Sequence, residues 1–333
     1  MLERPDLPDE QIIACLQEAY GLTVDQLAFL PLGADVNSAV YRAGVKGEQF
    51  YFVKLRRGAF AEIGVTLPHF LHVQGIPQVI PPLRTQGRQL WAHLADFRLI
   101  LYPYIHGRSG FELVLSAAQW AEFGAALKRI HTLPLPQALA RAIPRETYTP
   151  QFREQVKGFL IRAKAEVFAD PVAIKVAELL RAQEAVIRDL IQQAKTLSNA
   201  LHAQPPDLVL CHTDAHAGNI LIDEHGALYL VDWDAPLLAP KERDLMFIGG
   251  AQGFLGVTPQ EEESLFYRGY GETRLNPAAL AYYRYERIIQ DIAAFSEQLL
   301  DTPAGGDDRE QSFGYLASNF MPGNTIERAY QSA

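Results

Sequence analysis

The chain has 333 residues, 48% of them hydrophobic, and a formal net charge of −9. That length and apolar content suit two domains or one large bilobal unit with a well-buried core, and exclude a disordered or fibrous chain. No apolar run is long enough to span a bilayer, and the start, Met1-Leu-Glu-Arg-Pro-Asp-Leu-Pro-Asp-Glu10, is acidic where a signal peptide would be basic and then apolar. A cytoplasmic protein without a membrane partner is expected. Two cysteines, Cys15 and Cys211, lie in unrelated apolar settings, which fits a reducing compartment and offers no good nucleophile. Without a basic block or interleaved arginine and aromatic residues, a nucleic-acid partner is not expected. The acidity suits a cationic small molecule as well as it suits solubility.

Along the chain, Ile12, Ile13, Leu16 and Ala19 recur at helical spacing over 8–20, and Gly21 is a stop. From residue 26 the texture becomes strand-like. Leu27 to Leu32 and Ala39 to Ala43 flank the polar turn Gly33-Ala34-Asp35-Val36-Asn37-Ser38, and a strand over Gln49 to Leu55 follows. Alternation puts Phe50, Phe52 and Lys54 on one face of that strand and Tyr51, Val53 and Leu55 on the other. Residues 60–73 are partly helical. Gly64 and Pro68 interrupt them, so the helix is expected to begin near Thr66 or to bend there. Strands over 90–92 and 97–102 lead to Tyr102-Pro-Tyr-Ile-His-Gly107, where a lobe boundary is placed. Helices are expected over 116–131, with Ser116 as cap, then 151–168 and 171–201. Downstream, helices are expected over 243–249, 259–270, 277–300 and 311–320, with 302–308 an exposed loop.

The stretch Val209 to Asp234 carries the chemistry. Two apolar runs, Asn219 to Asp223 and Ala227 to Val231, flank Glu224-His225-Gly226 and predict a hairpin. If the turn closes tightly, Asp223 pairs with Ala227 and Asn219 falls opposite Val231. Asn219 and Asp232 then share one open end, beside the loop carrying Asp214. An amide and a carboxylate there, with a second carboxylate upstream, suit an oxygen-ligated Mg²⁺ and an adjacent base.

His212-Thr-Asp214, then Asn219, then Asp232 ahead of Trp233, reproduces the spacing of the kinase catalytic loop and its metal-binding aspartate. With Lys54 on an upstream strand, the set resembles the aminoglycoside phosphotransferase family. His-Thr-Asp-Ala-His-Ala-Gly-Asn and Val-Asp-Trp-Asp stand where that family has His-Gly-Asp-x-x-x-x-Asn and Ile-Asp-Trp-Asp. The segments 127–131, 239–250 and 282–291 resemble those of members acting on the aminocyclitol spectinomycin. The resemblance implies an α+β bilobal protein-kinase-like fold. Its small antiparallel-sheet N-terminal lobe spans 1–106, with a hinge at 102–106, and its larger, mainly helical C-terminal lobe spans 107–333, with the catalytic hairpin at 209–234.

The same resemblance implies ATP and Mg²⁺ as cofactors and phosphorylation of an aminocyclitol hydroxyl, conferring antibiotic resistance, by a monomer or weak homodimer. Asp214 would be the catalytic base, and Asn219 and Asp232 the metal ligands. Lys54 would contact the α- and β-phosphates with Glu62 as its orienting partner. Gly33, Asn37 and Ser38 would lie over the phosphates, and Tyr102, Tyr104 and Ile105 would read adenine. His212 and Asp244 would brace the catalytic loop. Asp214, Asp234, Tyr283, Glu286 and Asp291 would face the substrate, although Arg287 and Asp291, four apart, also fit an ordinary helix-surface pair. A metabolic small-molecule kinase, a nucleotide-binding pseudokinase and, from the spacing of His212, Asp214 and His216, a zinc hydrolase stay open.

Overall fold

The computed structural model describes residues 4–32, 37–46, 49–250, 254–302, 306–321 and 325–331, with the backbone alone at 306–308. The early elements are α1 (Asp9–Tyr20), β1 (Gln26–Leu30), β2 (Ser38–Val45), β3 (Gln49–Arg57), α2 (Ile63–Val73), β4 (Ala92–Leu94), β5 (Phe97–Pro103) and β6 (Gly107–Ser109). Then come α3 (Ala117–Thr132), α4 (Gln137–Ala142), α5 (Gln151–Ala165), α6 (Pro171–Ala182), α7 (Glu184–Ala203), β7 (Val209–Cys211), β8 (Ile220–Asp223), β9 (Leu228–Leu230) and β10 (Leu237–Ala239). The chain closes with α8 (Glu242–Leu245), α9 (Pro259–Tyr270), α10 (Pro277–Asp301), α11 (Gly306–Ser318) and α12 (Thr325–Gln331). The result is a mixed α+β protein with a small antiparallel sheet and a helical region. Two compact units divide it, 1–143 with 217–236, and 144–216 with 237–333.

In the first unit five strands form an antiparallel sheet in the order β1-β2-β3-β5-β4. The face of β3 that carries Tyr51, Val53 and Leu55 is the buried one, packed among Ile12, Leu16, Tyr41 and Leu99. Gly21 ends α1 in the left-handed conformation, φ 72°, which glycine adopts without steric cost. A second sheet, β6-β8-β9, carries the hairpin. α3 opens with a capping box in which the Ser116 hydroxyl accepts the Gln119 N–H and the Gln119 side chain accepts the Ser116 N–H.

The second unit is helical apart from the β7–β10 pair. Its core is made by Val156 and Leu160 of α5, Val176 and Leu180 of α6, Ile187 and Leu190 of α7, and Ile288, Ile289 and Ile292 of α10. α10 begins at an Asn276 cap followed by Pro277, and α9 at a Thr258 capping box followed by Pro259. Among the described residues no helix is long and apolar enough to cross a membrane.

Four expectations need correction. The helix over 60–73 starts at Ile63, passes through Gly64, and holds Pro68 in its interior. The predicted helix over 171–201 is two helices, broken at Gln183 with φ −101° and ψ 10°, a break that no Pro or Gly marks. The last helical turn of 243–249 gives way after Leu245 to successive turns, and α11 begins inside the expected loop, at Gly306. α4 and α12, six and seven residues long, are too short to show a periodic pattern.

Gly107 makes the β6–β8 pairing possible: a Cβ there would lie 2.4 Å from the Ile222 carbonyl oxygen. Because the obstacle is backbone, Gly107→Ala is expected to destabilise the protein by about 1–3 kcal/mol in urea unfolding. An unchanged midpoint would contradict the close approach.

Candidate active site

The hairpin has the register read from the sequence. Ile220, Leu221 and Ile222 pair with Leu230, Tyr229 and Leu228. Asp223 N–H donates to the Ala227 carbonyl and Val231 N–H to the Asn219 carbonyl, both at 3.0 Å. Asp223 also fixes the turn, its Oδ1 accepting the His225 and Ala227 N–H groups. Asn219, at the end of a 3-10 turn, therefore faces Val231, and Asp232 comes next at the same end. Asp232 has φ 67°, a left-handed conformation tolerated by aspartate better than by most residues but still strained.

In the same unit, Lys54 of β3 reaches this end. Its ammonium lies 2.9 Å from Asp232 Oδ1 and 2.8 Å from Asp234 Oδ2, and Arg56, two residues along the same strand face, donates to Asp234 Oδ2 at 2.7 Å. Burial alone would lower the affinity of Lys54 for its proton, but Asp232 and then Asp234 outweigh it and hold the ammonium charged well above its ordinary range. The ion pair expected with Glu62 is absent. Glu62 is exposed on the turn before α2, and two carboxylates that sit nearer take the lysine. Asp234, expected on the substrate side, is likewise occupied by Lys54 and Arg56. The approach is close at Gly64: a Cβ there would lie 3.2 Å from the Trp233 carbonyl oxygen, tighter than most Cβ contacts.

The remaining residues expected at the nucleotide lie along this sheet. Ser38 opens β2 and is buried, and the Asn37 carbonyl accepts the Arg57 N–H at 2.9 Å. Tyr102 lies opposite Phe52, and Tyr104 N–H reaches the Phe50 carbonyl at 3.3 Å, where pairing with β3 ends and Ile105 follows. Burial pushes the Tyr102 hydroxyl above its ordinary range. Gly33 lies outside the described residues.

In the second unit, Asp244 is fully buried and accepts two backbone N–H groups of the loop after β7, from His212 at 2.8 Å and Thr213 at 2.6 Å. The His212 Nδ1 in turn accepts the Asp214 N–H at 3.2 Å. These bonds hold Thr213 at φ 79° and so set where the Asp214 side chain leaves the backbone. Asp214 Oδ1 accepts from Arg287 Nη1 at 2.5 Å, and Oδ2 lies 3.5 Å from His216 Nε2. Burial would raise the Asp214 carboxyl, but Arg287, His216 and His212 together pull it well below the usual carboxylate range.

Arg287 also pairs with Asp291, one helical turn on, at 3.1 Å, and its guanidinium sits 5.8 Å over the Phe247 ring. Two expected substrate contacts are interior instead. Tyr283 is 1% exposed and donates its hydroxyl to Glu146 at 3.2 Å; Glu286 is 4% exposed, faces Arg153 at 3.4 Å, and is pushed by burial to a pKa of about 7. The sequence pattern marked their helix but not its buried side. Cys211 is buried and its thiol is pushed up, so it has no nucleophilic character. Among the described residues His212, Asp214 and His216 form no metal-holding group.

Two charged residues here were not singled out as site residues: Arg56, which only strand alternation places beside Lys54, and Arg287, whose helical pairing with Asp291 conceals its reach to Asp214. The donors at the hairpin end, an amide and a carboxylate, are the hard oxygen ligands that a Mg²⁺-sized ion takes. Asp232 is paired here with the Lys54 ammonium.

Residues 28–281 match the APH phosphotransferase enzyme family, and the chain belongs to it. It is similar to the crystal structure of spectinomycin phosphotransferase APH(9)-Ia in complex with ADP and spectinomycin, with 35% identity, a TM-score of 0.90, and coverage of 98% of this chain and 99% of that one. The AMP-bound complex of APH(9)-Ia gives 35% identity, a TM-score of 0.85, and coverage of 96% and 98%. An amicoumacin kinase, hAmiN, in complex with AMP-PNP, Ca²⁺ and Ami shares the fold at 17% identity and a TM-score of 0.61, with 96% and 95% covered. No curated protein sequence matched. The fold is kinase-like, and the protein is an enzyme of the phosphotransferase class.

Asp244→Asn replaces a charged acceptor of two N–H groups by an amide that donates toward one of them. Melting is expected to fall by the equivalent of about 2–3 kcal/mol, read by calorimetry; an unchanged melting temperature would show that the loop does not depend on Asp244.

Proposed function

We propose that the protein transfers the γ-phosphoryl group of ATP, with Mg²⁺, to a hydroxyl of spectinomycin or a closely related aminocyclitol, and thereby confers resistance. The observation that carries this reading is the 35% identity over 98% of the chain to an enzyme solved with ADP and spectinomycin. The neighbours crystallised with ADP, AMP or AMP-PNP support a nucleotide donor, and the Ca²⁺ in one of them supports a divalent metal.

In this reading Asn219 and Asp232 hold Mg²⁺, which supplies charge neutralisation at the phosphates. Lys54 exchanges its contact with Asp232 for the α- and β-phosphates and retains Asp234. Asp214, five residues before Asn219 in the chain, accepts a hydrogen bond from the acceptor hydroxyl and aims it in line. Phosphoryl transfer through a loose transition state asks mostly for this positioning and for electrostatic stabilisation, and a weakly basic carboxylate suffices, since the proton leaves the hydroxyl late. The backbone of 33–38 would donate to the phosphates, and 102–106 would be the hinge reading adenine between lobes 1–106 and 107–333. A cationic aminocyclitol suits an acidic chain.

Purified protein is given Mg-ATP with spectinomycin, kanamycin, choline or methylthioribose while ADP release is followed. Turnover above the water background is expected with spectinomycin; none there, with turnover on choline or methylthioribose, would favour a metabolic kinase. Asp214→Ala is expected to lower kcat by about 10²-fold or more with nucleotide binding retained, and full activity would remove Asp214 as the base.

The pH profile has a definite sign. Asp214 is ionised above its lowered pKa, so kcat/KM is expected to show no acid limb from this group between about pH 5 and 7. An acid limb centred near pH 6 that disappears in Asp214→Asn would contradict the charge environment described.

A further inference from the structure

We propose that Arg287 is a positioning residue for Asp214, fixing the direction of its carboxylate, with Asp291 anchoring the guanidinium from one helical turn further along α10. The inference rests on the reading of Asp214 as the group that orients the acceptor hydroxyl. A surface Arg–Asp pair four apart on a helix is worth only about 0.3–0.5 kcal/mol and needs no functional account. Arg287 does more than that. Its Nη1 reaches Asp214 Oδ1, 73 residues away, at 2.5 Å, while its Nε stays 3.1 Å from Asp291.

The guanidinium is planar and delocalised, so the Nη1 hydrogen bond to Asp214 fixes one direction in its plane, while the Asp291 carboxylate beside Nε holds its charge in place as an ion pair. The guanidinium carbon lies 5.8 Å over the Phe247 ring, and the same ring lies 6.2 Å from the His216 ring, whose Nε2 borders the other oxygen of Asp214. The carboxylate is therefore set from both ends. Its backbone is held by His212 and through Asp244, and its Oδ1 by Arg287. Lysine in place of Arg287 would keep the charge but lose the fork, so charge and orientation can be separated.

With Mg-ATP and spectinomycin saturating, Arg287→Met is expected to lower kcat by about 30-fold or more while KM for ATP stays within about 2-fold, and Arg287→Lys to recover only part of the loss. Asp291→Asn, which loosens the anchor without removing the arginine, is expected to fall between wild type and Arg287→Met. In the Asp214→Asn background, Arg287→Met is expected to cost little more, because the group it positions is gone.

If Arg287→Met unfolds, the Arg287→Lys and Asp291→Asn values decide. Wild-type kcat in Arg287→Met, or in both of those variants, would overturn the proposal. So would a loss that appears only as a raised KM for ATP. Should the wild-type protein leave spectinomycin unmodified, the acceptor reading falls, and the same comparison is made on ADP release to water. Should Asp214→Asn be fully active, the reading beneath the proposal falls with it.

Discussion

The register of one short hairpin is the constraint on which the rest depends. Ile220 opposite Leu230 and a tight turn at Asp223 place Asn219 and Asp232 at the same end. A slip of one residue would send both to the wrong side, because side chains alternate across a strand. The apolar residues that fix this register, Ile220, Ile222, Leu228 and Leu230, are all buried, so the placement of Asn219 and Asp232 is held by core packing and not by these two residues themselves. β6 adds a third strand to the hairpin, and Gly107 is the position that lets it approach.

Each half of the proposed machinery is held by charges that satisfy one another. In the first unit, two lysine and arginine cations from alternate positions of β3 meet two aspartates that flank Trp233. In the second, Arg287 lies between Asp214 and Asp291. Such partly buried networks are costly when one member is removed, and that cost accounts for their fixed orientation. The strained backbone at Thr213 and Asp232, both with positive φ, sits beside these groups, and the hydrogen bonds to Asp244 supply part of what maintains it.

Much of this was legible in the sequence. The hairpin register followed from two apolar runs and a three-residue turn, and the division of β3 into two faces from simple alternation. The Asp244 bonds to the catalytic loop followed from family resemblance alone. What was not legible depended on distance in the chain. Nothing local to Lys54 shows that Asp234 and not Glu62 would be its second carboxylate, since their competition is decided by how closely α2 packs on residues 233–234. Tyr283 and Glu286 share a helix with Arg287, and period alone could not tell the buried side of a helix whose residues 281–286 are all buried. The break at Gln183 has no breaker residue, so only tertiary packing reveals it.

The most direct measurement is of the product. Spectinomycin incubated with the protein and Mg-ATP, then analysed by mass spectrometry and ³¹P NMR, is predicted to gain one phosphoryl group as a phosphate monoester, with one ADP formed for each molecule modified. Unmodified spectinomycin, or ADP formed without a phosphorylated product, would contradict the account.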